Sequence, residues 1–151
     1  MNSKIFIDSS IFIESFKGNK VAKEILEVAV DKYEIYINDI VFSEVVFKLL
    51  GIKSGKSPLT LKKSQNIPLI VDGLRDYIEL LTLSNLLMVN MEILKTSINF
   101  MKKYNLLSND AIILSTCKYY KIELLASLDR DFESILPQEN MILVNSPEIL
   151  T

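Results

Sequence analysis

The sequence predicts an α/β fold, a three-layer α/β/α sandwich with a central parallel sheet of four to five strands. Short apolar segments typical of buried strands alternate with longer segments whose apolar residues recur at helical spacing. Such alternation favours parallel strands that are joined by helical crossovers and covered on both faces. With 151 residues, of which 49% are hydrophobic, the chain has the length and apolar content of one domain. We therefore expect residues 1–151 to form a single domain.

The first half of the chain contains two predicted strands and two predicted helices. In chain order these are a strand over 4–8, a helix over 15–31, a strand over 34–38 and a helix over 39–50. The strands are short apolar runs, whereas the apolar residues of the first helix are spaced to form one face. Asn38 or Asp39 is suited to cap the second helix, and Gly51 is suited to end it.

The second half begins with a predicted loop over 52–66, which contains Gly55, Pro58 and four lysines. Pro68 suits the first turn of a helix, and Ser108 suits an N-cap. The elements that follow the loop are a helix over 68–83, a strand over 86–89, helices over 91–104 and 109–120, a strand over 123–127, a helical turn over 131–135 and a strand over 141–144.

Composition excludes several kinds of site. The chain has no histidine and a single cysteine, Cys117, which rules out Ser-His-Asp and Cys-His catalysis, His-ligated zinc and an intrachain disulfide. Carboxylates are then the natural metal ligands, and they suit Mg²⁺ or Mn²⁺. No apolar run approaches the roughly 18 residues that cross a bilayer, and no secretory signal follows Met1. We expect a cytoplasmic protein without membrane contact.

Four carboxylates are candidates for one site because of where they fall in the predicted elements. Asp8 and Asp129 follow the first and fourth strands, whereas Glu44 and Asp110 lie near the starts of helices. Ligands of parallel α/β sheets bind beyond the carboxyl ends of the strands, where these residues converge. Four like charges there repel one another unless cations bind or some of the acids take up protons.

Each acid also has a simpler structural explanation when it is taken alone. Asp8 suits an N-cap, and Asp110 complements the dipole of the helix in whose first turn it lies. Glu44 forms a common helix-surface pair with Lys48 four residues later, although apolar residues surround it on nearly all sides. For Asp129 the simpler explanation is a capped turn before the short helix that follows the fourth strand, with Asp131 as the cap.

Taken in order, these residues and their neighbours resemble the acidic motifs of the PIN domain family. The segments that carry the resemblance are IFIDSSIFI at 5–13, INDIVFSEV at 37–45, LSNDAII at 107–113 and LASLDRDF at 125–132. They are spread over nearly the whole chain. Each motif is loose by itself, but four of them in this order and at these spacings are specific.

The resemblance implies a metal-dependent ribonuclease on a PIN-like parallel sheet flanked by helices. It implies that Asp8, Glu44, Asp110 and Asp129 form the catalytic site. Three of them, Asp8, Asp110 and Asp129, are expected to hold Mg²⁺ or Mn²⁺, either directly or through water. Glu44 is expected to orient the attacking water.

The resemblance also implies auxiliary residues and partners. Ser10 and Ser127 stand where the family often has polar side chains that hydrogen-bond the acids, and Asp131 is implied as an auxiliary acid. The size is similar to that of VapC-like toxins, which implies an RNA substrate, a homodimer and a small inhibitory antitoxin protein. The helices over 68–83 and 91–104, the second with Leu94 and Ile98 on one face, carry enough apolar surface for a dimer face, and core packing explains the same residues.

Two further alternatives stay open at this level. A PIN-like domain can keep its acids and act as a non-catalytic RNA-binding or protein-interaction module. The segment over 52–67 is longer than in the most compact family members. Four lysines within it either contact a phosphate backbone or form a solvated basic loop. These are Lys53, Lys56, Lys62 and Lys63. The net charge of −2 is less basic than is usual for an RNA-binding toxin.

Overall fold

A five-stranded parallel sheet forms the centre of the computed structural model, which describes residues 3–151. The strands are β1 (Ser3–Ile7), β2 (Tyr33–Asn38), β3 (Asn85–Leu87), β4 (Leu124–Ala126) and β5 (Ile142–Val144). Their order across the sheet is β3-β2-β1-β4-β5, and each neighbouring pair is parallel. Helices flank the sheet, so the predicted α/β class is confirmed.

The helices within the described residues connect and cover these strands. They are α1 (Ser9–Phe16), α2 (Lys20–Lys32), α3 (Asp39–Ser54), α4 (Pro58–Ser64), α5 (Ile67–Gly73), α6 (Arg75–Leu83), α7 (Met91–Tyr104) and α8 (Ser108–Tyr119). Short 3-10 segments lie at Arg130–Phe132, Leu136–Glu139 and Pro147–Leu150. None of the helices within residues 3–151 combines the length and apolar character that a membrane span requires.

The strand order creates a crevice at one edge of the sheet. The chain adds β2 and β3 on one side of β1, and later returns to add β4 and β5 on the other side. The connections after β1 and β4 therefore lead in opposite directions, which opens a crevice beyond the carboxyl ends of these strands. Ile7 pairs with Ala126, so the two strands end side by side.

The apolar core is built around β1 and reaches the elements that follow β1 and β4. Ile5, Phe6 and Ile7 are fully buried, as are Phe12 on α1 and Phe132 in the first 3-10 segment. Burial of each phenylalanine side chain contributes about 1.5–3 kcal/mol. Because Phe12 and Phe132 lie close in sequence to the predicted acids, their burial anchors the backbone that carries the acids.

The single helix predicted over 15–31 is wrong, because the structure has two helices there. The chain turns at Gly18, whose φ of 96° favours glycine strongly. Helix α2 then starts afresh, and the side chain of Asn19 caps it by accepting a hydrogen bond of 3.0 Å from the backbone N–H of Ala22. The helical spacing of apolar residues carries no sign of this turn.

Helix α3 is longer than predicted. It continues through Gly51 and ends at Gly55, which adopts the left-handed conformation with φ of 69°. The expected end at Gly51 is therefore wrong. Glycine inside a helix costs about 1 kcal/mol relative to alanine, which the surrounding packing tolerates.

The segment after α3 also differs from its prediction. The predicted loop over 52–66 is wrong, because it contains α4, which begins at Pro58 and is capped by Ser57. The predicted helix over 68–83 consists of α5 and α6, which meet at the buried residue Leu74. Helices this short depend on packing more than on propensity, so the sequence pattern is a weak guide to them.

Helix α7 has apolar residues on two faces. Ile93, Ser97 and Phe100 are buried on the side that packs against α8. Leu94 and Ile98 are 37% and 50% exposed, so the face they form lies at the surface. Core packing therefore does not account for these two residues.

Asn38 joins the end of β2 to the start of α3 and is fully buried. Its side-chain oxygen accepts a hydrogen bond of 3.0 Å from the backbone N–H of Val41, which caps α3. Its amide nitrogen donates at 3.0 Å to the Oγ1 atom of Thr116 on α8. This residue thus ties together the two helices that carry Glu44 and Asp110.

We expect Asn38→Ala to lower the free energy of unfolding by about 2 kcal/mol, because it removes a helix cap and a buried hydrogen bond together. The matched control is Asn19→Ala, which removes only the exposed cap of α2 and is expected to cost about 1 kcal/mol. Urea unfolding followed by circular dichroism measures both values. Equal losses in the two variants would contradict a stabilising role for the contact with Thr116.

Candidate metal centre

Two of the predicted acids stand at the ends of adjacent strands. Asp8 directly follows β1, and its backbone N–H donates to the carbonyl oxygen of Ala126 at the end of β4 at 2.9 Å. Asp129 lies three residues after Ala126, at the start of the first 3-10 segment. The parallel pairing of β1 with β4 therefore brings the two carboxylates to one end of the sheet.

The carboxylate of Asp8 is buried and accepts hydrogen bonds at both oxygens. Its Oδ1 accepts from the backbone N–H of Ser9 at 2.8 Å, which caps α1. Its Oδ2 accepts from the hydroxyls of Ser10 at 2.9 Å and Ser127 at 2.8 Å. Asp8 is therefore the N-cap of α1, and its second oxygen is held by two serines from different parts of the chain.

The same two serines also accept hydrogen bonds from the turn after β4. The backbone N–H of Leu128 donates to Ser10 Oγ at 3.0 Å. The backbone N–H of Asp129 donates to Ser127 Oγ, also at 3.0 Å. Each hydroxyl thus connects the Asp8 carboxylate to the backbone that positions Asp129, in keeping with the role implied for Ser10 and Ser127.

The other two acids reach the same place from helices. Glu44 lies in α3 and Asp110 in the first turn of α8, and α3 contacts α8. Together with Asp8 and Asp129 they line one cavity of about 440 Å³. The remaining residues that line it are Ser9, Ser10, Leu107, Ser108 and Asn109. All four predicted catalytic acids therefore border a single cavity.

A second grouping of acids includes Asp131. One carboxylate oxygen from each of Asp110, Asp129 and Asp131 lies within 4.8 Å of the others. Asp131 is exposed, whereas Asp110 and Asp129 are half-buried. Asp110 and Asp129 belong to both groupings, with Asp8 on the buried side and Asp131 on the solvent side.

Two capping predictions are wrong. The turn after β4 is capped by Asp129, whose Oδ1 accepts from the backbone N–H of Asp131 at 2.9 Å, so Asp131 is not the cap. Ser108 is the first residue of α8, and no side chain caps this helix at Leu107. The carboxylate of Asp131 is therefore not engaged as a cap of this turn.

Burial and mutual repulsion raise the pKa of two acids that line the cavity, Asp8 and Asp110. Burial raises the pKa of Asp8 above its ordinary value, although hydrogen bonds from Ser127, Ser10 and Ser9 oppose the shift. Burial, and next the negative charges of Asp8 and Asp129, raise the pKa of Asp110 to about 7. The cluster therefore binds a proton far more readily than isolated carboxylates do.

Glu44 is subject to opposing effects. Burial, followed by the charge of Asp8, raises the pKa of Glu44, whereas the charge of Lys48 and hydrogen bonding with Asn109 lower it. No ion pair within 4.0 Å joins Glu44 to Lys48 among the described residues. Glu44 therefore faces the other acids and is not simply one half of a surface pair.

The donor set fits a hard divalent cation. The side chains that converge here offer carboxylate and hydroxyl oxygens, which Mg²⁺ and Mn²⁺ prefer. Clustered carboxylates whose pKa values are raised by one another are stabilised when a cation is bound among them. The arrangement is thus suited to hold a divalent ion next to a carboxylate, Glu44, that can take up a proton.

Comparison with known proteins decides the family. The family model of the PIN domain matches residues 5–135. This chain belongs to the PIN domain family. Two curated relatives come from Methanocaldococcus jannaschii. Ribonuclease VapC6 is 39% identical over 142 residues, which cover 88% of this chain and 93% of the relative. Ribonuclease VapC2 is 42% identical over 135 residues, which cover 88% and 89%.

Solved structures share the fold of this PIN domain. A toxin–antitoxin complex from Klebsiella pneumoniae aligns with a TM-score of 0.60 and 24% identity, covering 87% of this chain and 92% of that chain. VapBC2 from Rickettsia felis, bound to a promoter DNA fragment, aligns with a TM-score of 0.58 and 17% identity, covering 93% of this chain and 96% of that chain. The sarcin–ricin loop cleaving toxin VapC20 of Mycobacterium tuberculosis aligns with a TM-score of 0.62 and 12% identity, covering 91% of this chain and 96% of that chain. At these identities the likeness establishes the fold alone.

Several residues around the site of this PIN domain were not singled out from the sequence. Asn109 lines the cavity and lowers the pKa of Glu44. Its position directly before Asp110, in the first turn of the same helix, indicates in the sequence that it lies near the site. The contact between Asn38 and Thr116 had no such signal, because it joins residues 78 positions apart.

A pH dependence of stability follows from the raised pKa of Asp110. Below about pH 4 the Asp110 carboxyl is protonated in both the folded and the unfolded protein. Between about pH 4 and 7 only the folded protein holds this proton, so the free energy of unfolding falls as pH rises through this range. In the presence of a chelator, Asp110→Asn should therefore gain stability over the wild type as pH rises through this window, by about 2 kcal/mol after allowance for solvent screening.

Urea unfolding at a series of pH values measures this difference. The control is Asp72→Asn, which changes an exposed acid on α5 outside the cavity and should show no such trend. If the stability difference between Asp110→Asn and the wild type were independent of pH, the raised pKa of Asp110 would be refuted.

Proposed function

We propose that this PIN domain is a metal-dependent endoribonuclease that hydrolyses RNA phosphodiester bonds. The observation that carries the proposal is the convergence of Asp8, Glu44, Asp110 and Asp129 on one cavity at the carboxyl ends of β1 and β4. The relatives named ribonuclease VapC, at about 40% identity over most of the chain, support the same reaction class.

We assign the metal-holding role to the acids that are shared by the two groupings. Asp110 and Asp129 lie at the centre of the ligand set, since both line the cavity and both belong to the group of three close oxygens. Asp8 completes the set on the buried side, and Asp131 supplements it on the solvent side. Mg²⁺ or Mn²⁺ is the proposed ion, because the ligand atoms are carboxylate oxygens.

The remaining side chains position and balance the reacting groups. The bound ion supplies activation of water and offsets the negative charge that develops on the phosphate in the transition state. Glu44 is half-buried at the cavity wall with a raised pKa, so it is suited to orient the attacking water and accept its proton. Ser10 and Ser127 keep Asp8 and Asp129 at a constant separation through their hydrogen bonds.

We further propose that the enzyme is the toxin of a toxin–antitoxin pair, acts in the cytoplasm on cellular RNA and is inhibited by a small antitoxin protein. The support is the sequence relationship to VapC ribonucleases and the fold shared with chains of solved toxin–antitoxin complexes. A homodimer is also proposed, because Met91, Leu94 and Ile98 place exposed apolar side chains at helical spacing along α7.

The ribonuclease proposal predicts loss of both metal binding and cleavage when the acids are neutralised. We expect Asp8→Asn, Asp110→Asn and Asp129→Asn each to lower the rate of Mg²⁺-dependent RNA cleavage by at least about 100-fold. Asp131→Asn should have a smaller effect because its carboxylate is exposed. Cleavage of a defined RNA panel on denaturing gels measures the rates, and calorimetric titration with Mn²⁺ measures the binding.

Asp72→Asn is the matched control and should cleave and bind Mn²⁺ like the wild type. Full cleavage by Asp8→Asn would contradict the site assignment. Mn²⁺ binding that is lost in Asp110→Asn would favour the enzyme, whereas absence of cleavage of any RNA by the wild type would favour the non-catalytic module.

The dimer proposal predicts that a charge on the exposed face of α7 dissociates the protein. We expect Ile98→Glu to convert a dimer to a monomer in light scattering coupled to size-exclusion chromatography, because a charge in an apolar interface is costly. Val30→Glu, on a different helix and of similar exposure, is the control and should leave the mass unchanged. A monomeric wild type would refute the dimer.

A further inference from the structure

One stretch of the chain is basic without any acidic residue. Between Val45 and Val71 lie five of the 17 Lys and Arg residues and none of the 19 Asp and Glu residues. All five are exposed, on α3, on α4 and in the turn between these helices. We call them the lysine surface: Lys48, Lys53, Lys56, Lys62 and Lys63.

The lysine surface begins at the acidic site. Lys48 lies one turn after Glu44 on α3, and its charge lowers the pKa of Glu44. From Glu44 to Lys53 the helix advances by about 14 Å, at about 1.5 Å per residue. At about 3.6 residues per turn, Lys48 lies near the face of α3 that carries Glu44, whereas Lys53 lies on the opposite face. The lysines therefore surround the last turns of α3 and continue onto α4, and Lys48 is the one next to the acidic site.

The surface has a concave part and an exposed aromatic ring. A cavity of about 490 Å³ is lined by Phe47, Lys48, Lys56 and Pro58, together with residues of the last turns of α3. Phe47 is 58% exposed and can stack on an unpaired base. A lysine-lined groove beside an exposed aromatic side chain is the arrangement by which proteins bind single-stranded nucleic acid.

The charges of this surface are directed to solvent. The ion pairs within residues 3–151 lie elsewhere and involve Lys17, Lys20, Lys103 and Lys118. The side chain of Lys53 packs against Gly73, where an added Cβ atom would lie 3.1 Å from the Cε atom of Lys53. This contact restricts the direction of the Lys53 side chain. The five lysines of this surface are thus exposed and take part in none of those ion pairs.

We propose that the lysine surface binds the phosphate backbone of single-stranded RNA that flanks the scissile bond, with Phe47 stacked on a base. This inference rests on the proposed ribonuclease function. The acidic cavity repels phosphates, so an RNA that enters it needs attraction from adjacent cations. Continuity with the cavity through Lys48 favours RNA over an acidic protein as the occupant.

The test compares two double variants, each of which replaces two lysines by glutamine and so removes two positive charges. Lys53→Gln/Lys56→Gln alters the lysine surface and leaves Lys48 beside Glu44. Lys4→Gln/Lys32→Gln alters exposed lysines at the amino-terminal ends of β1 and β2, the opposite edge of the sheet. The measurements are kcat and KM for a long single-stranded RNA, and RNA affinity at several salt concentrations by fluorescence anisotropy in the Asp110→Asn background.

We expect Lys53→Gln/Lys56→Gln to raise KM by about tenfold with little change in kcat, and to lower the slope of log affinity against log salt by about 0.7 per lost phosphate contact. The control should match the wild type. Equal KM and equal slopes in the two double variants would overturn the proposal, even while wild-type cleavage upholds the ribonuclease. Loss of polyglutamate binding with unchanged RNA affinity would also overturn it, and would assign the surface to an acidic protein.

Because the anisotropy arm does not require cleavage, the two proposals fail separately. If the wild type cleaves no RNA, the ribonuclease proposal fails. The lysine surface is then still tested by whether the Lys53→Gln/Lys56→Gln change weakens RNA binding more than the control change does.

Discussion

The hydrogen bonds to one buried carboxylate, that of Asp8, organise the functional end of this protein. The hydroxyl of Ser10, just after β1, and the hydroxyl of Ser127, just after β4, both donate to it. The same two hydroxyls accept hydrogen bonds from the backbone of the turn that follows β4. Backbone geometry at two neighbouring strand ends is thereby linked through a single oxygen atom. The position of Asp129, and through it the acidic cluster, depends on this link.

The price of this arrangement is electrostatic. Burial and the proximity of Asp8 raise the pKa values of Asp110 and Glu44, so the fold holds charges that it would be more stable without. Ordinary packing does not select such a cluster, because each acid taken alone could cap a helix or pair with a lysine at lower cost. A bound cation would offset this repulsion, which is the reason for proposing a metal centre here.

The net charge of −2 conceals two regions of opposite sign. One is the acidic cavity, and the other is the lysine surface that starts one helical turn away from Glu44. A divalent ion in the cavity would remove much of its negative charge, and the lysines would then dominate the field that an approaching RNA experiences. A chain that is acidic on average is therefore compatible with a polyanionic substrate, since the local distribution of charge governs binding.

The sequence by itself determined the α/β class, the PIN family and the oxygen-only chemistry. Strand–helix alternation, ordered acidic motifs and the lack of histidine are local properties that can be read along the chain. The tertiary structure alone decided that Asp129 caps the turn after β4 in place of Asp131 and that Asn38 contacts Thr116, and it placed α4 where a loop was expected. These features depend on contacts between distant residues and on burial, which apolar spacing and local propensity do not encode.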